Sequence, residues 1–214
     1  MSRSRRGRRL AEGAAFLLAA LRMRPVARRA ASGLSLVLGV VGLGMLAYPF
    51  ATNVFQERLQ TRLEVQLASP EIQQAYAAGA VEVGDSLTRL RIPTVDVDVV
   101  VVEGTTTSAM RAGAGHYPNT PLPGEDGNVA IAGHRTTYGR PFADLDRVAP
   151  GEDIILETPL GTHTYRVSRQ PYVVANTDWE PIAQRPGKTL TLTTCHPKGS
   201  ARQRLVVKAE LVEP

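Results

Sequence analysis

A single cysteine, Cys195, stands at the end of the alternating run "TLTLTT" and is followed by His196, Pro197 and, within nine residues, Arg202 and Arg204. A thiolate is a strong nucleophile, so a cysteine at the end of a rigid strand, beside a glycine-containing loop, can attack an acyl group and hold it as a thioester. That chemistry needs a group that gives and takes a proton, and a donor for the oxyanion on the attacked carbonyl. The same position also suits a buried, inert thiol. The partners available to Cys195 decide between the two.

Four histidines compete for the proton-transfer role. His196 neighbours the cysteine in a strand-like segment, so its side chain points to the opposite face. His163 opens the run "HTYRVS" and reads as a solvated strand residue. His116, in "GAGHYPNT", is possible. His134, in "NVAIAGHRTTYG", has the same setting as Cys195: an apolar strand, a small Ala-Gly step that lets chains approach closely, then a loop. For the oxyanion, "TLTLTT" and "RLVVKAEL" are joined by a hairpin-sized connection. Arg204, opening the return strand, is therefore expected across from Cys195, with Arg202 solvated in the loop.

The elements that must hold these residues follow from charge and periodicity. Of 25 basic and 20 acidic residues, nine arginines and Glu12 fall in residues 1–32, so the remainder carries a small net negative charge. A mildly acidic domain with 5% aromatic residues argues against a nucleic-acid partner. Residues 33–50 contain no charged side chain, and such a run nearly crosses a hydrocarbon core about 30 Å thick. Arg22, Arg24, Arg28 and Arg29 precede it, while neutral "ATNVFQ" follows. The positive-inside rule then places the N-terminus in the cytoplasm and everything after about residue 51 outside. The apolar run exceeds a usual signal-peptide core and no small-x-small site follows it directly, which favours a retained anchor. The shorter run from Phe16 to Leu21 cannot span. An exported chain with one cysteine forms no internal disulfide, which makes a lone thiol more notable.

Beyond the anchor, Val54, Leu59, Leu63 and Leu67 recur at near-helical spacing, predicting an amphipathic helix that ends near Ser69-Pro70. Residues 70–85 are small and polar and read as a linker. Eight short β-like runs follow, at 87–92, 95–103, 128–133, 153–158, 163–168, 171–176, 189–194 and 204–212. They predict a mainly β barrel or sandwich. Residues 108–120 have room for a short helix, and 136–151 for a loop with one helical turn near Phe142 to Asp146. The domains expected are thus a basic tail (1–32), a membrane anchor (33–50), a juxtamembrane helix and linker (51–85) and a β domain (86–214). There is no internal repeat, no glycine-rich phosphate loop and no spaced Cys/His cluster, so no metal or other cofactor is expected.

Taken together, "TLTTC", an arginine nine positions on and the strand "RLVVKAEL" resemble the Thr-Leu-x-Thr-Cys…Arg signature of sortases, the membrane-anchored cysteine transpeptidases of Gram-positive bacteria. "AIAGHR" resembles their histidine motif. The resemblance covers residues 87–214 and is most like class E sortases of high-GC actinobacteria. It implies an eight-stranded sortase-like β-barrel with short helices, with Cys195 as nucleophile, His134 as general acid/base and Arg204 as oxyanion or substrate-positioning donor. It implies as partners the sorting-signal peptides of secreted proteins, cut between Thr and Gly in a Leu-Ala/Pro-x-Thr-Gly motif, and an amine of a peptidoglycan precursor. Residues 168–184 fall where the family has its variable recognition loop, making Val173, Val174 and Trp179 candidate groove residues. Tyr117 and Thr194 are further candidate substrate contacts. The acidic stretch 124–128 is too short for the calcium site of some members. A pilus-type lid motif is absent upstream. A pilus-polymerising sortase and a non-enzymatic anchored barrel with a buried thiol are the alternatives to cell-wall anchoring.

Overall fold

Alternation gives this sheet its dry face: in most strands apolar side chains recur at every second position and turn to one side, where the backbone ladder can wrap around them. The computed structural model describes residues 25–212, so the basic run before residue 25 and the segment from Phe16 to Leu21 lie outside the described residues. The chain divides into two compact units after Tyr48.

Helix α1 (Pro25–Leu67) begins in the first unit. There Leu34, Leu36, Leu43 and Leu46 are all exposed, and the helix is long and apolar enough to cross a membrane.

In the second unit, the last turns of α1 are followed by α2 (Pro70–Ala77) and by strands β1 (Ser86–Ile92), β2 (Val97–Glu103), β3 (Ala114–His116), β4 (Gly127–Gly133), β5 (Asp153–Thr158), β6 (Gly161–Val167), β7 (Tyr172–Ala175), β8 (Lys188–His196) and β9 (Gln203–Leu211). Their order in the sheet is β6-β5-β1-β2-β3-β4-β8-β9, and β6 pairs back onto β9 through Tyr165↔Leu211 and Val167↔Ala209. Eight strands therefore close a barrel, as the resemblance implies; it is one of the two architectures open to the pattern of short runs. The ninth, β7, lies outside the ring on the other half of the same β9 edge, from Tyr172↔Val206 to Ala175↔Gln203. Leu90, Val99, Ile131, Leu156, Leu192 and Val207 meet in the barrel interior.

Three local expectations change. Residues 108–120 hold one turn of 3-10 helix (Ala109–Ala112) followed by β3, a strand absent from the eight predicted runs. β2 begins at Val97 rather than 95, because Pro93–Val95 form a 3-10 turn that ends on Asp96 at φ 53°. The expected linker contains α2, started by Ser69, whose hydroxyl accepts from the Ile72 amide, with Pro70 in the first turn. Ile72 and Tyr76 anchor it.

The C-terminal part of α1 packs on β2. Leu63 is buried with Val100, Val102, Ala109 and Ala112, and Leu59 and Leu67 flank it, whereas Val54 is exposed. β3 reaches β2 only at Val102 and Glu103, so the outer edge of Val100 has no strand beside it. The Gln60 side-chain amide takes that place. Its Oε1 accepts from the Val100 amide at 2.7 Å and its Nε2 donates to the carbonyls of Val100 at 2.9 Å and Ala112 at 2.8 Å. Gln60→Ala leaves a part-buried N–H and two carbonyls without this partner. It should lower unfolding free energy by about 1–3 kcal/mol, read from denaturant melts of the detergent-solubilised chain; an unchanged midpoint would mean that water substitutes fully.

Candidate active site

Two ladders bring the candidate residues level. β4 and β8 run parallel in constant register, from Gly127↔Lys188 to Ala132↔Thr193. Carried on by two residues, that register would bring His134 level with Cys195, and just short of that level Thr194 Oγ1 donates to the Gly133 carbonyl at 2.7 Å. On the other side β8 and β9 pair antiparallel with Cys195 opposite Arg204. Neighbouring strands lie about 4.8 Å apart, so Cys195 and Arg204 stand side by side, and His134 follows the end of β4 on the other side of β8.

All three face outward. Val129 and Ile131 of β4, Leu190 and Leu192 of β8, and Leu205 and Val207 of β9 fill the core. Period-2 alternation then turns His134, Cys195 and Arg204 to the other side. Each is half-buried. Gly133 lets the chain beyond β4 fold tightly: a Cβ there would lie 2.3 Å from the Phe142 ring. The Phe142 amide donates to the His134 carbonyl at 3.0 Å, which pins the loop after the histidine.

The His134 ring packs against Tyr138 with centroids 5.2 Å apart. Burial pushes its pKa below the usual histidine value, and a hydrogen bond with the Met110 backbone opposes this only in part. Loss of hydration penalises the imidazolium, so the neutral ring predominates at neutral pH. The Arg204 Nη1 donates to the carbonyls of Ala201 at 3.0 Å and Gln203 at 3.1 Å.

Next to these residues lies a cleft lined by Tyr117, Val174, Trp179, Thr193, Arg204 and Val206. The Tyr117 and Thr193 hydroxyls are 3.1 Å apart. Trp179 is 64% exposed at the rim. Three of the five candidate substrate contacts, Tyr117, Val174 and Trp179, thus share one cleft with Arg204. The other two do not reach it. Val173 sits on the opposite face of β7 from Val174 and is exposed. Thr194 is buried, its hydroxyl donating to the Gly133 carbonyl at 2.7 Å. Thr193 stands in the cleft instead, because alternate residues of a strand share a face, and the spacing from Cys195 carries that signal.

The remaining histidines are committed elsewhere. His116 is 2% exposed, with Nδ1 2.7 Å from Glu103 Oε2 and Nε2 2.8 Å from the Thr120 hydroxyl. His163 lies on β6 opposite Leu156, and its pKa is lowered by burial and by Lys188. His196 contacts Arg135. Arg202 is exposed, as expected. Arg135 itself is missing from the residues singled out in the sequence, yet it is buried beside Cys195. Among the described residues no group of three or more histidine, cysteine or acidic side chains is placed to hold a metal ion.

The Sortase domain family matches residues 90–212, and the chain belongs to the sortase family. Sortase SrtE1 of Streptomyces coelicolor is 28% identical over 208 residues, covering 88% of this chain. The chain spans 58% of the length of that relative. The structure of sortase E1 from the same organism, which holds a tripeptide in its active site, matches 61% of this chain and 90% of its own at 30% identity and a TM-score of 0.56. A Clostridium perfringens sortase D5 transpeptidase matches 74% of this chain and 98% of its own at 27% identity and a TM-score of 0.64.

Proposed function

We propose that this protein is a membrane-anchored cysteine transpeptidase of the class E kind, joining secreted proteins to a cell-wall precursor. The observation that carries the reading is the pairing of Cys195 with Arg204 beside the Tyr117–Trp179 cleft, with the parallel β4–β8 ladder leading to His134 on the other side.

In the first half-reaction His134 takes the proton of the Cys195 thiol, and the resulting thiolate attacks the Thr carbonyl of a Thr–Gly bond in a Leu-Ala-x-Thr-Gly sorting signal. Arg204 supports the oxyanion by turning its guanidinium from the carbonyls of Ala201 and Gln203. Collapse of the tetrahedral species breaks the C–N bond, and the imidazolium of His134 gives its proton to the departing glycine amine. A thioester on Cys195 remains. In the second half-reaction an amine of a peptidoglycan precursor attacks that thioester. Neutral His134 takes the amine proton, the C–S bond breaks, and a new amide joins the protein to the wall precursor. The burial that lowers the His134 pKa suits the base role in this second step.

The arginine-rich segment before α1 supports an orientation with the N-terminus in the cytoplasm and the barrel outside. On this reading residues 1–32 are a cytoplasmic tail, 33–50 the membrane span, 51–85 the juxtamembrane segment and 86–214 the catalytic domain.

Intact-mass analysis after mixing the protein with Leu-Ala-x-Thr-Gly and Leu-Pro-x-Thr-Gly peptides tests the proposal. An adduct ending at Thr, formed faster from the alanine peptide and discharged by added amine, is the expected result. Absence of any adduct from either peptide would overturn the transpeptidase reading, and a clear preference for proline would overturn the class E assignment.

A further inference from the structure

We propose that Arg135 is a positioning residue that holds the Cys195 end of β8 against the His134 end of β4; the proposal rests on the reading of those two residues given above. The β4–β8 ladder stops at Ala132↔Thr193, two residues short of the level at which His134 and Cys195 stand. Beyond that point backbone pairing no longer fixes their separation. Two side chains bridge the gap. Thr194 Oγ1 donates to the Gly133 carbonyl at 2.7 Å, and Arg135 Nη1 donates to the Cys195 carbonyl at 3.2 Å.

Arg135 is 4% exposed, and a buried guanidinium persists only when its donors are met. Nη1 also donates to His196 Nδ1 at 3.0 Å, Nη2 to Asp146 Oδ1 at 2.8 Å, and Nε to the Ala143 carbonyl at 3.4 Å. Four of its five N–H bonds therefore have acceptors. A guanidinium cannot accept, so His196 Nδ1 must present its lone pair. The cation spans three segments: the strand end with Cys195 and His196, the Ala143 carbonyl, and Asp146 in the 3-10 turn Leu145–Arg147. Because Arg135 follows His134 directly, anchoring it fixes the histidine's backbone as well.

The cleft lined by Tyr117, Val174 and Trp179 does not include Arg135. Loss of the clamp should therefore impair the reaction of bound peptide rather than its binding. The full chain in detergent, assayed on a sorting-signal peptide with an added amine, separates these effects. Arg135→Met keeps the length of the side chain without its donors. It should lower kcat by about 10–100-fold, since small misplacements of reacting groups cost that much, with KM changed by no more than about twofold. Arg135→Lys should recover part of the loss, and Asp146→Asn, which weakens the hold on the fork, should lose less.

Wild-type kcat in Arg135→Met, measured below its melting temperature, would overturn the proposal and leave Arg135 a purely structural cation. Should Arg135→Met fail to fold, wild-type kcat in both Arg135→Lys and Asp146→Asn would overturn it equally. Activity retained by Cys195→Ala in the same assay would instead refute the reading of the site.

Discussion

On the proposed mechanism Cys195→Ala should abolish peptide cleavage and ligation together, a loss of at least about 10⁴-fold. The chain has one cysteine, so no second thiol can form the thioester. The substitution leaves the barrel intact because Cys195 points away from the core filled by Leu190, Leu192 and Val207. Unchanged far-UV circular dichroism and melting temperature beside the lost turnover would mark the effect as chemical. Cys195→Ser should also fail, because a serine hydroxyl is a far weaker nucleophile than a thiolate. Ligation by the alanine variant at more than a few per cent of the wild-type rate would remove Cys195 from the reaction.

The three proposed catalytic residues were unequally legible. Arg204 follows from local geometry, since consecutive runs joined by a short connection pair as a hairpin and place Cys195 opposite Arg204. His134 does not. Its place depends on a parallel pair between β4 and β8, which are separated by β5, β6 and β7 in the chain. Parallel neighbours need crossover connections, and nothing local announces their register. The likeness of "AIAGH" to "TLTTC" suggested a matching strand-end setting, and the parallel ladder is the physical reason that two such settings come together.

Other features escaped because tertiary contacts decide them. β3 is three residues of small and polar character, and it forms because β2 and β4 lie on either side of it. A Cβ on Gly115 would lie 2.2 Å from the Gly104 carbonyl oxygen, so its glycine serves close strand approach rather than a turn. For β7, two adjacent valines were both plausible groove residues. Only the pairing of Val174 with Arg204 shows which one shares the cleft. Arg135 reads as a loop charge until the Cys195 carbonyl, His196 and Asp146 are folded around it.

His134→Ala is the second large effect, and the leaving group separates its roles. On a Thr–Gly amide the variant should lose about 10²–10⁴-fold, the usual reach of a general acid–base group. A thiolate leaving group needs no proton, so a thioester analogue of the same peptide should acylate the variant to within about tenfold of the unchanged enzyme. Equal losses on both substrates would make His134 a positioning group, and an unchanged amide rate would remove it from the mechanism. His116 is a poor substitute because Glu103 and Thr120 already occupy its ring nitrogens, and the Nδ1 of His196 is engaged by Arg135. The pH dependence carries the same sign. Burial lowers the His134 pKa below the ordinary value of 6.5, so the neutral base needed for amine transfer persists through neutral pH and is lost only as pH falls below that value. Transfer from the preformed thioester to a weakly basic amine, unprotonated across this window, should therefore slow on the acid side while His134→Ala shows no such inflection. Stability follows the same linkage. The unfolded chain binds a proton at His134 more readily than the folded one, so the folded state loses stability as pH falls through 6.5 towards the depressed value. The alanine variant should lose that part of the acid sensitivity together with the proton transfer, which ties the two measurements to one imidazole.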